Sequence, residues 1–319
     1  MQTPNPKAVP GLTACLAAGL LGMGLSAAAV SAAEAPFAAS SLRGQVVYQK
    51  ACAACHGETG NGMGQGAGPL DPKPRDFTSG IYKFRTTGLG ELPTDADLLK
   101  VVMQGVHGTQ MPAFKNVLTA QEMKDVVAYI KNFSPDFAEA EEEPEVIETP
   151  EAPASTAEFV AEGKHAFMTL DCWTCHGPAG KGDGSAAKGL KDGWGYPIKP
   201  WNLTRSQYKS GADAANIYRT LHTGFNGTPM SAFGGAFTYG SDRAINEEAL
   251  ATAYSKAEID ALKAYLAAQP TAAAIRELGD EEKEALTQKR KWALVHYVRS
   301  LQKKPGIVSW LTSDTEVTK

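Results

Sequence analysis

Cys52-Ala53-Ala54-Cys55-His56 is the stretch that decides how this chain of 319 residues is interpreted, and Cys172-Trp173-Thr174-Cys175-His176 repeats it. Cys-x-x-Cys-His is the attachment signature of a c-type haem. Two thiols add to the vinyl groups, and the next histidine then lies under the iron. The chain therefore predicts two covalently bound haem c groups. The predicted covalent links are Cys52, Cys55, Cys172 and Cys175, and the predicted proximal iron ligands are His56 and His176.

Two other uses of such cysteines fit less well. A dithiol redox pair does not need the adjacent histidine. A four-cysteine zinc site closes a short loop, with its second pair about 15–20 residues after the first. Here Cys55 and Cys172 are 117 positions apart. The fifth cysteine, Cys15, lies in a segment that we expect to be removed, so no cysteine remains for a disulfide.

The pentads belong to a longer internal repeat. Cys52 precedes Met111 by 59 positions, and Cys172 precedes Met230 by 58. Around these methionines, Gly105–Phe114 aligns with Gly224–Phe233. A third match aligns Pro74-Arg75-Asp76-Phe77-Thr78 with Pro200-Trp201-Asn202-Leu203-Thr204. Each half is therefore predicted to be one complete haem domain, with bounds of 34–134 and 158–302.

The repeated methionines are the predicted sixth ligands of the two irons. A methionine thioether suits low-spin iron and raises its potential relative to a second nitrogen ligand. In the second half only Met230 qualifies, since Met168 lies four residues before its pentad. In the first half only Met111 occupies the repeated position, and Met63, Met103 and Met123 do not. His107 and His222 remain alternative ligands, although neither recurs in the other half.

The stretch from 135 to 157 differs in composition from both halves. It holds eight acidic residues, no basic residue and four prolines. Such a composition cannot bury enough apolar area to fold alone, so we expect an acidic linker stiffened by proline and charge repulsion. This segment contributes eight negative charges, and it accounts for the negative sign of the chain's net charge of −4. Solvation and spacing are its expected roles, and docking to a basic partner is the alternative.

The remaining pattern is helical, and the predicted fold class is mostly all-α. Helices are expected over 41–51, 119–133 and 155–170, the last two beginning with capping boxes at Thr119/Glu122 and Ser155/Glu158. Two segments could close the second domain, 255–268 and 284–302. We favour the later one, with about 240–280 as an insertion and 303–319 as a tail.

The first 33 residues resemble an export signal. Lys7 is the only charged residue before Glu34, and an apolar run ends in the small residues Ser31-Ala32-Ala33. An uncleaved membrane anchor is the first alternative, since 11–33 carries no charge. Lipidation at Cys15 is the second. Covalent haem attachment in bacteria occurs outside the cytoplasmic membrane, so both features predict a periplasmic location.

With these motifs the chain resembles the bacterial dihaem c-type cytochromes built from two class I domains, which are like mitochondrial cytochrome c. The matching residues are the pentads, Met111-Pro112-Ala113-Phe114, Met230-Ser231-Ala232-Phe233 and the closing run 291–301. The resemblance implies two helical domains with haem in a crevice, histidine and methionine ligation, and electron transfer with partner proteins.

The expected function is therefore periplasmic electron transfer, as a carrier or as the cytochrome subunit of an oxidoreductase or respiratory complex. No catalytic residue is predicted. The expected partners are redox proteins, without nucleic acid, and with a membrane only through an N-terminal anchor or a membrane complex. The rival is a dihaem enzyme, such as a peroxidase or sulfur-compound oxidase, with one iron open to substrate. A purely structural docking module is the third hypothesis.

Overall fold

The computed structural model describes residues 34–303, with side chains from Ser40 onward. The export signal predicted over 1–33 and the tail beyond residue 303 lie outside the described residues. Between 34 and 303 the chain forms twelve α-helices and no strand, with two isolated β-bridges. The helices are α1 Glu34–Ala51, α2 Ala53–His56, α3 Asp95–Gln104, α4 Ala120–Lys131, α5 Asp136–Glu139, α6 Ala157–Thr169, α7 Cys172–His176, α8 Ala214–Thr223, α9 Glu247–Ala251, α10 Lys256–Ala267, α11 Ala272–Glu277 and α12 Asp280–Ser300.

The first domain is built on the crossing of α1 and α4. Gly44 makes the close approach possible, because a Cβ there would collide with the Asp125 carbonyl and meet the Tyr129 Cβ at 2.9 Å. The predicted Thr119/Glu122 capping box begins α4. Twelve buried apolar side chains, Tyr48 and Val126 among them, form the core between these helices and α3.

The second domain repeats this crossing with α6 and α12. A Cβ at Gly163 would collide with the Ala293 carbonyl and meet the Tyr297 Cβ at 2.8 Å. The partner of α6 is therefore α12, the later of the two candidate closing helices.

The expected Ser155/Glu158 capping box at the start of α6 is wrong. The cap is Thr156, whose hydroxyl accepts the Phe159 N–H at 3.2 Å, and α6 begins at Ala157.

The segment between Phe233 and α12 carries α9, α10 and α11, which have no counterpart in the first domain. Arg290 of α12 is fully buried and holds this segment in place. It donates to the carbonyls of Phe237 and Tyr239, both at 2.7 Å, and to the Gln269 side chain at 2.7 Å. These bonds tie the start of the extra segment and the residues just after α10 to the closing helix.

The acidic segment predicted to be a linker is docked on both domains. It contains the short helix α5, and Phe137 contacts Tyr82 edge-on with ring centroids 5.7 Å apart. The Ile147 N–H donates to the Thr86 carbonyl at 2.8 Å. At its far end the Pro153 carbonyl accepts the Nε2–H of His296 at 3.0 Å. The charge and proline content therefore did not keep this segment free of the domains.

Within residues 34–303, no helix is both long enough and apolar enough to pass through a bilayer.

Candidate haem sites

Each pentad forms a short helix that follows directly on the first helix of its domain. His56 ends α2 and His176 ends α7, and in both cases the next residue is a glycine with positive φ, Gly57 at 80° and Gly177 at 76°. The four pentad cysteines are partly buried, and none forms a disulfide. The same local geometry thus places two thiols and one imidazole together in each domain.

The two histidines are oriented by equivalent hydrogen bonds. The Nδ1 of His56 lies 3.0 Å from the Arg75 carbonyl, and the Nδ1 of His176 lies 3.1 Å from the Trp201 carbonyl. A carbonyl only accepts, so the proton must be on Nδ1, and Nε2 keeps a free lone pair. Burial lowers the pKa of both imidazoles, which favours their neutral form. A neutral ring held through Nδ1–H is the usual arrangement of an iron-ligating histidine.

Glycine-rich loops fold tightly back over each pentad. A Cβ at Gly64 would meet the Ala53 carbonyl at 2.6 Å, and a Cβ at Gly184 would collide with the Thr174 carbonyl. Backbone bonds repeat as well, from the Gly62 N–H to His56 at 2.8 Å and from the Gly182 N–H to His176 at 2.7 Å. Only glycine permits this close approach, so the loops have a structural reason for their composition.

The methionine loops also have matching geometry. The Met111 carbonyl accepts the Val106 N–H at 3.1 Å, and its own N–H donates to the Thr109 hydroxyl at 3.1 Å. In the second domain the corresponding distances at Met230 are 3.0 Å, from Phe225, and 3.2 Å, to Thr228. Met111 packs against the same apolar cluster as Cys52, and Met230 against the same cluster as Cys172.

The other methionines and histidines lie elsewhere. Met123 and Met168 are buried, at 5% and 1% exposure, while Met63 is 68% exposed. Met103 packs on the first core without occupying a repeated loop. His107 is exposed, and His222 accepts a hydrogen bond from the buried Lys291 at 2.9 Å. His165 packs beside Tyr265 with the two rings tilted and their centroids 4.7 Å apart.

Burial raises the pKa of the first thiol of each pair, Cys52 to about 11 and Cys172 to about 12. Dithiol redox chemistry depends on a thiolate of lowered pKa, so neither of these two thiols suits it. The residues present fit covalent haem c.

Sequence reasoning did not predict the side-chain contacts that join the two sites. Arg75, whose carbonyl orients His56, places its guanidinium 4.0 Å from the centre of the Trp194 ring of the second domain. Trp194 in turn lies against Gly227 in the Met230 loop, where a Cβ would meet its ring at 2.7 Å. The alignment of Pro74–Thr78 with Pro200–Thr204 marked this position but gave no sign of the contact across the domains.

A second contact joins a residue of the second domain to the methionine loop of the first. Trp201, whose carbonyl orients His176, lies against Gly108 in the Met111 loop, and a Cβ at Gly108 would meet its Cη2 at 2.7 Å. The residue that orients each proximal histidine therefore reaches towards the methionine loop of the other domain, directly for Trp201 and through Trp194 for Arg75. Phe84 and Phe225 pack edge-on beside these contacts, with centroids 5.8 Å apart.

Comparison with known proteins agrees with this geometry. The family model "Cytochrome c" matches residues 41–134 and again 160–302. Among solved structures, a chain of the reducing HAO-like protein complex Kustc0457/Kustc0458 of Kuenenia stuttgartiensis is 33% identical, with a TM-score of 0.63. That match covers 82% of this chain and 96% of the other. The search of curated proteins found no match.

Fold and site together define a helical protein of two tandem haem-binding domains. The chain belongs to the cytochrome c family, whose members carry covalent haem c and transfer electrons. The predicted all-α class and the tandem arrangement are confirmed. The cysteine pairs at 52/55 and 172/175 fit the family's attachment motif.

Proposed function

We propose that this protein is a periplasmic dihaem electron carrier, or the cytochrome subunit of a larger redox complex. Each domain would hold one haem through its cysteine pair, with His56 and Met111 as iron ligands in the first and His176 and Met230 in the second. When bound, each haem iron accepts and gives up one electron. The chain's task is then to hold both irons in fixed coordination, out of contact with water, and at a fixed separation.

The observation that carries the proposal is that the hydrogen bonds around the predicted histidine and methionine ligands of the first domain recur in the second. Both histidines are oriented by Nδ1, and both methionines sit in loops closed by the same two hydrogen bonds. A catalytic haem needs one open or easily displaced coordination position. Because neither domain departs from the other at the ligand positions, we assign both irons to electron transfer rather than to substrate binding.

The contact between the domains supports passage of electrons from one haem to the other. Trp201 contacts the Met111 loop directly, and Arg75 contacts Trp194, which lies against the Met230 loop. A hydrogen bond from Arg85 to the Thr223 carbonyl at 3.1 Å adds to this interface. We infer that these contacts fix the distance between the two centres more tightly than the acidic segment alone would.

The proposed location and partners rest on the leader and on the relative. Residues 1–33 have the composition of an export signal, with cleavage expected after Ala33. The related chain from Kuenenia stuttgartiensis belongs to a complex of two components. We propose that this chain likewise exchanges electrons with a protein partner at the outer side of the cytoplasmic membrane.

A coulometric redox titration of the purified, secreted protein tests the proposal. We expect two electrons per chain, low-spin spectra of histidine and methionine ligation in both centres, and no rapid binding of cyanide. Mass spectrometry is expected to find Glu34 at the N-terminus. Rapid binding of cyanide or peroxide to one centre of the resting protein would instead support a dihaem enzyme.

A further inference from the structure

Lys291 of α12 is a lysine inside the core of the second domain, at 1% exposure. Its Nζ donates to the Nδ1 of His222 on α8 at 2.9 Å and lies 3.5 Å from the Tyr218 hydroxyl. Among the residues that the structure describes, Lys291 forms no ion pair with an acidic side chain. Nothing derived above for haem attachment or iron ligation uses this pair of basic groups.

The surroundings stabilise a positive charge on Lys291 only in part. Its Nζ lies 4.6 Å from the centre of the Tyr218 ring and 5.9 Å from that of Phe237, and aromatic faces favour a cation. Burial has the opposite effect and lowers the pKa of Lys291. Burial lowers the pKa of His222 as well, and the neighbouring Lys291 lowers it further. Both groups therefore bind a proton less tightly than they would in water.

Three further titratable groups lie near the pair in the described part of the chain. Glu284 of α12 favours protonation of both groups, and its side chain accepts from Gln288 at 3.0 Å. The guanidinium of Arg290 donates to backbone carbonyls on another side of α12. Burial raises the pKa of the Tyr218 phenol to about 12, so that group stays neutral. The two nitrogens of the pair are thus placed to share one extra proton and to titrate as a unit.

The first domain has apolar side chains at both of these positions. The two helix crossings align α12 with α4, and this alignment places Lys291 at the position of Met123. The aligned methionine loops place His222 at the position of Met103. Met123 is 5% exposed in the first core, and Met103 packs against the same core. The ionisable pair is therefore a property of the second domain that the repeat does not share.

The pair lies between α12 and the loop that carries Met230. His222 is two residues before this loop, and the Phe233 N–H at the loop's end donates to the Leu221 carbonyl of α8 at 2.8 Å. Gly234 follows the loop and lies against the imidazole, since a Cβ there would meet the His222 Nε2 at 3.2 Å. A change of charge on the pair thus occurs beside the segment proposed to supply the sixth ligand of the second haem.

We propose that Lys291 and His222 form a proton-binding site whose proton is exchanged together with the electron of the second haem. This inference rests on the electron-transfer function proposed above. The pair takes up one proton from solvent as the haem gains an electron, because added negative charge nearby favours the protonated form. It returns the proton to solvent when the electron leaves. The first domain, with two methionines in this place, transfers its electron without this proton.

Redox titration of both haems in the full-length, haem-loaded protein between about pH 5 and 9 tests the proposal. We expect the midpoint potential of the second haem to fall as the pH rises, because fewer protons are available to accompany the electron. Lys291→Met combined with His222→Met gives the second domain the residues of the first, and it should remove most of this fall. Lys256→Met is the matched control, because its side chain is 86% exposed on α10, and it should titrate like the wild type.

A direct measurement on the wild type covers the case in which the double variant does not fold. With ¹⁵N-labelled histidine, NMR is expected to show a higher pKa for the His222 ring in the reduced protein than in the oxidised protein. An equal pKa in both states, or a pH dependence that persists unchanged in the double variant, would overturn the proposal. Two electrons per chain would still be counted in that case, so this result is separate from a failure of the proposed function.

Discussion

Single residues define the chemistry of each site, and their roles can be separated by position. The pentads alone predict His56 and His176 as iron ligands, whereas the prediction of Met111 and Met230 required the repeat. Their loops have matching hydrogen bonds at both methionines. The orienting carbonyls of Arg75 and Trp201 were not predictable as partners, since a backbone carbonyl leaves no signature in the residue type.

Replacing one repeated methionine is expected to alter only its own centre. Met230→Ala removes the proposed sixth ligand, whose thioether would stabilise ferrous iron, so the midpoint potential of the second haem should fall by on the order of 0.1 V. Optical redox titration and the low-spin spectrum measure this change. Met168→Leu is the control, since Met168 is a core residue at 1% exposure and should leave both potentials in place. An unchanged spectrum in Met230→Ala would remove Met230 from the ligand set.

The buried carboxylate of Asp125 makes stability depend on pH. It accepts from Arg43 at 2.7 and 3.0 Å and from Gln121 at 2.9 Å, and these bonds lower its pKa to about 2. An unfolded aspartate has a pKa of about 3.9, so the stabilisation is complete above that value and lost as the pH falls towards 2.

Asp125→Asn is therefore expected to cost about 1–2 kcal/mol at pH 7, allowing for the exposure of Arg43, and much less at pH 2. Urea unfolding at the two pH values measures the difference. Asp260→Asn, on the exposed face of α10, should change little at either pH. An equal loss at pH 7 and pH 2 would show that the Asp125 charge is not involved.

Pairs of helices set the shape of each domain, and one glycine decides each crossing. Sequence periodicity located α4 and α12. It left two candidates for the partner of α6, because α10 and α12 both had suitable apolar faces. The pairing depends on backbone contact. Gly163 lies against the carbonyl of Ala293, as Gly44 lies against that of Asp125, and no helix propensity encodes such a contact.

Substitution of the crossing glycine tests this arrangement. Gly163→Ala is expected to destabilise the protein by about 1–3 kcal/mol or more, because the new methyl group would force α6 and α12 apart. Denaturant unfolding of the holoprotein is the measurement. Gly235→Ala is the matched control in the same domain, since a Cβ there meets nothing within 4 Å. Equal midpoints for the two variants would contradict the crossing.

At the scale of the whole molecule, the two haem domains form a joint structure in which each supports the other's site. The far edge of the Trp201 ring, at Cη2, lies against Gly108 in the Met111 loop. The acidic segment runs along both domains, since Ile147 bonds to Thr86 and Pro153 to His296. Composition predicted a free linker here, and the docking depends on contacts that composition does not describe.

A substitution in the second domain is therefore expected to reach the first. Trp201→Phe keeps an aromatic ring but removes the Cη2 edge that touches Gly108, so the NMR signals of the Met111 methyl in the reduced protein should shift. Trp292→Phe is the control, because Trp292 packs on Tyr218 inside the second domain, with centroids 4.7 Å apart. Unchanged Met111 signals in Trp201→Phe would mean that the Trp201 contact does not influence the first haem site.

Local pattern in the chain was enough to predict the cofactor chemistry and the number of domains, because haem attachment requires fixed residue types at fixed short spacings and the repeat doubles them. The helical class was predictable in the same way, since apolar side chains recur at helical periods. The pairing of the helices, the position of the acidic segment, and the contacts of Arg75, Trp201 and Arg85 with the opposite domain became visible in the folded molecule alone. These features depend on contacts between residues far apart in the chain, and local pattern carries no record of them.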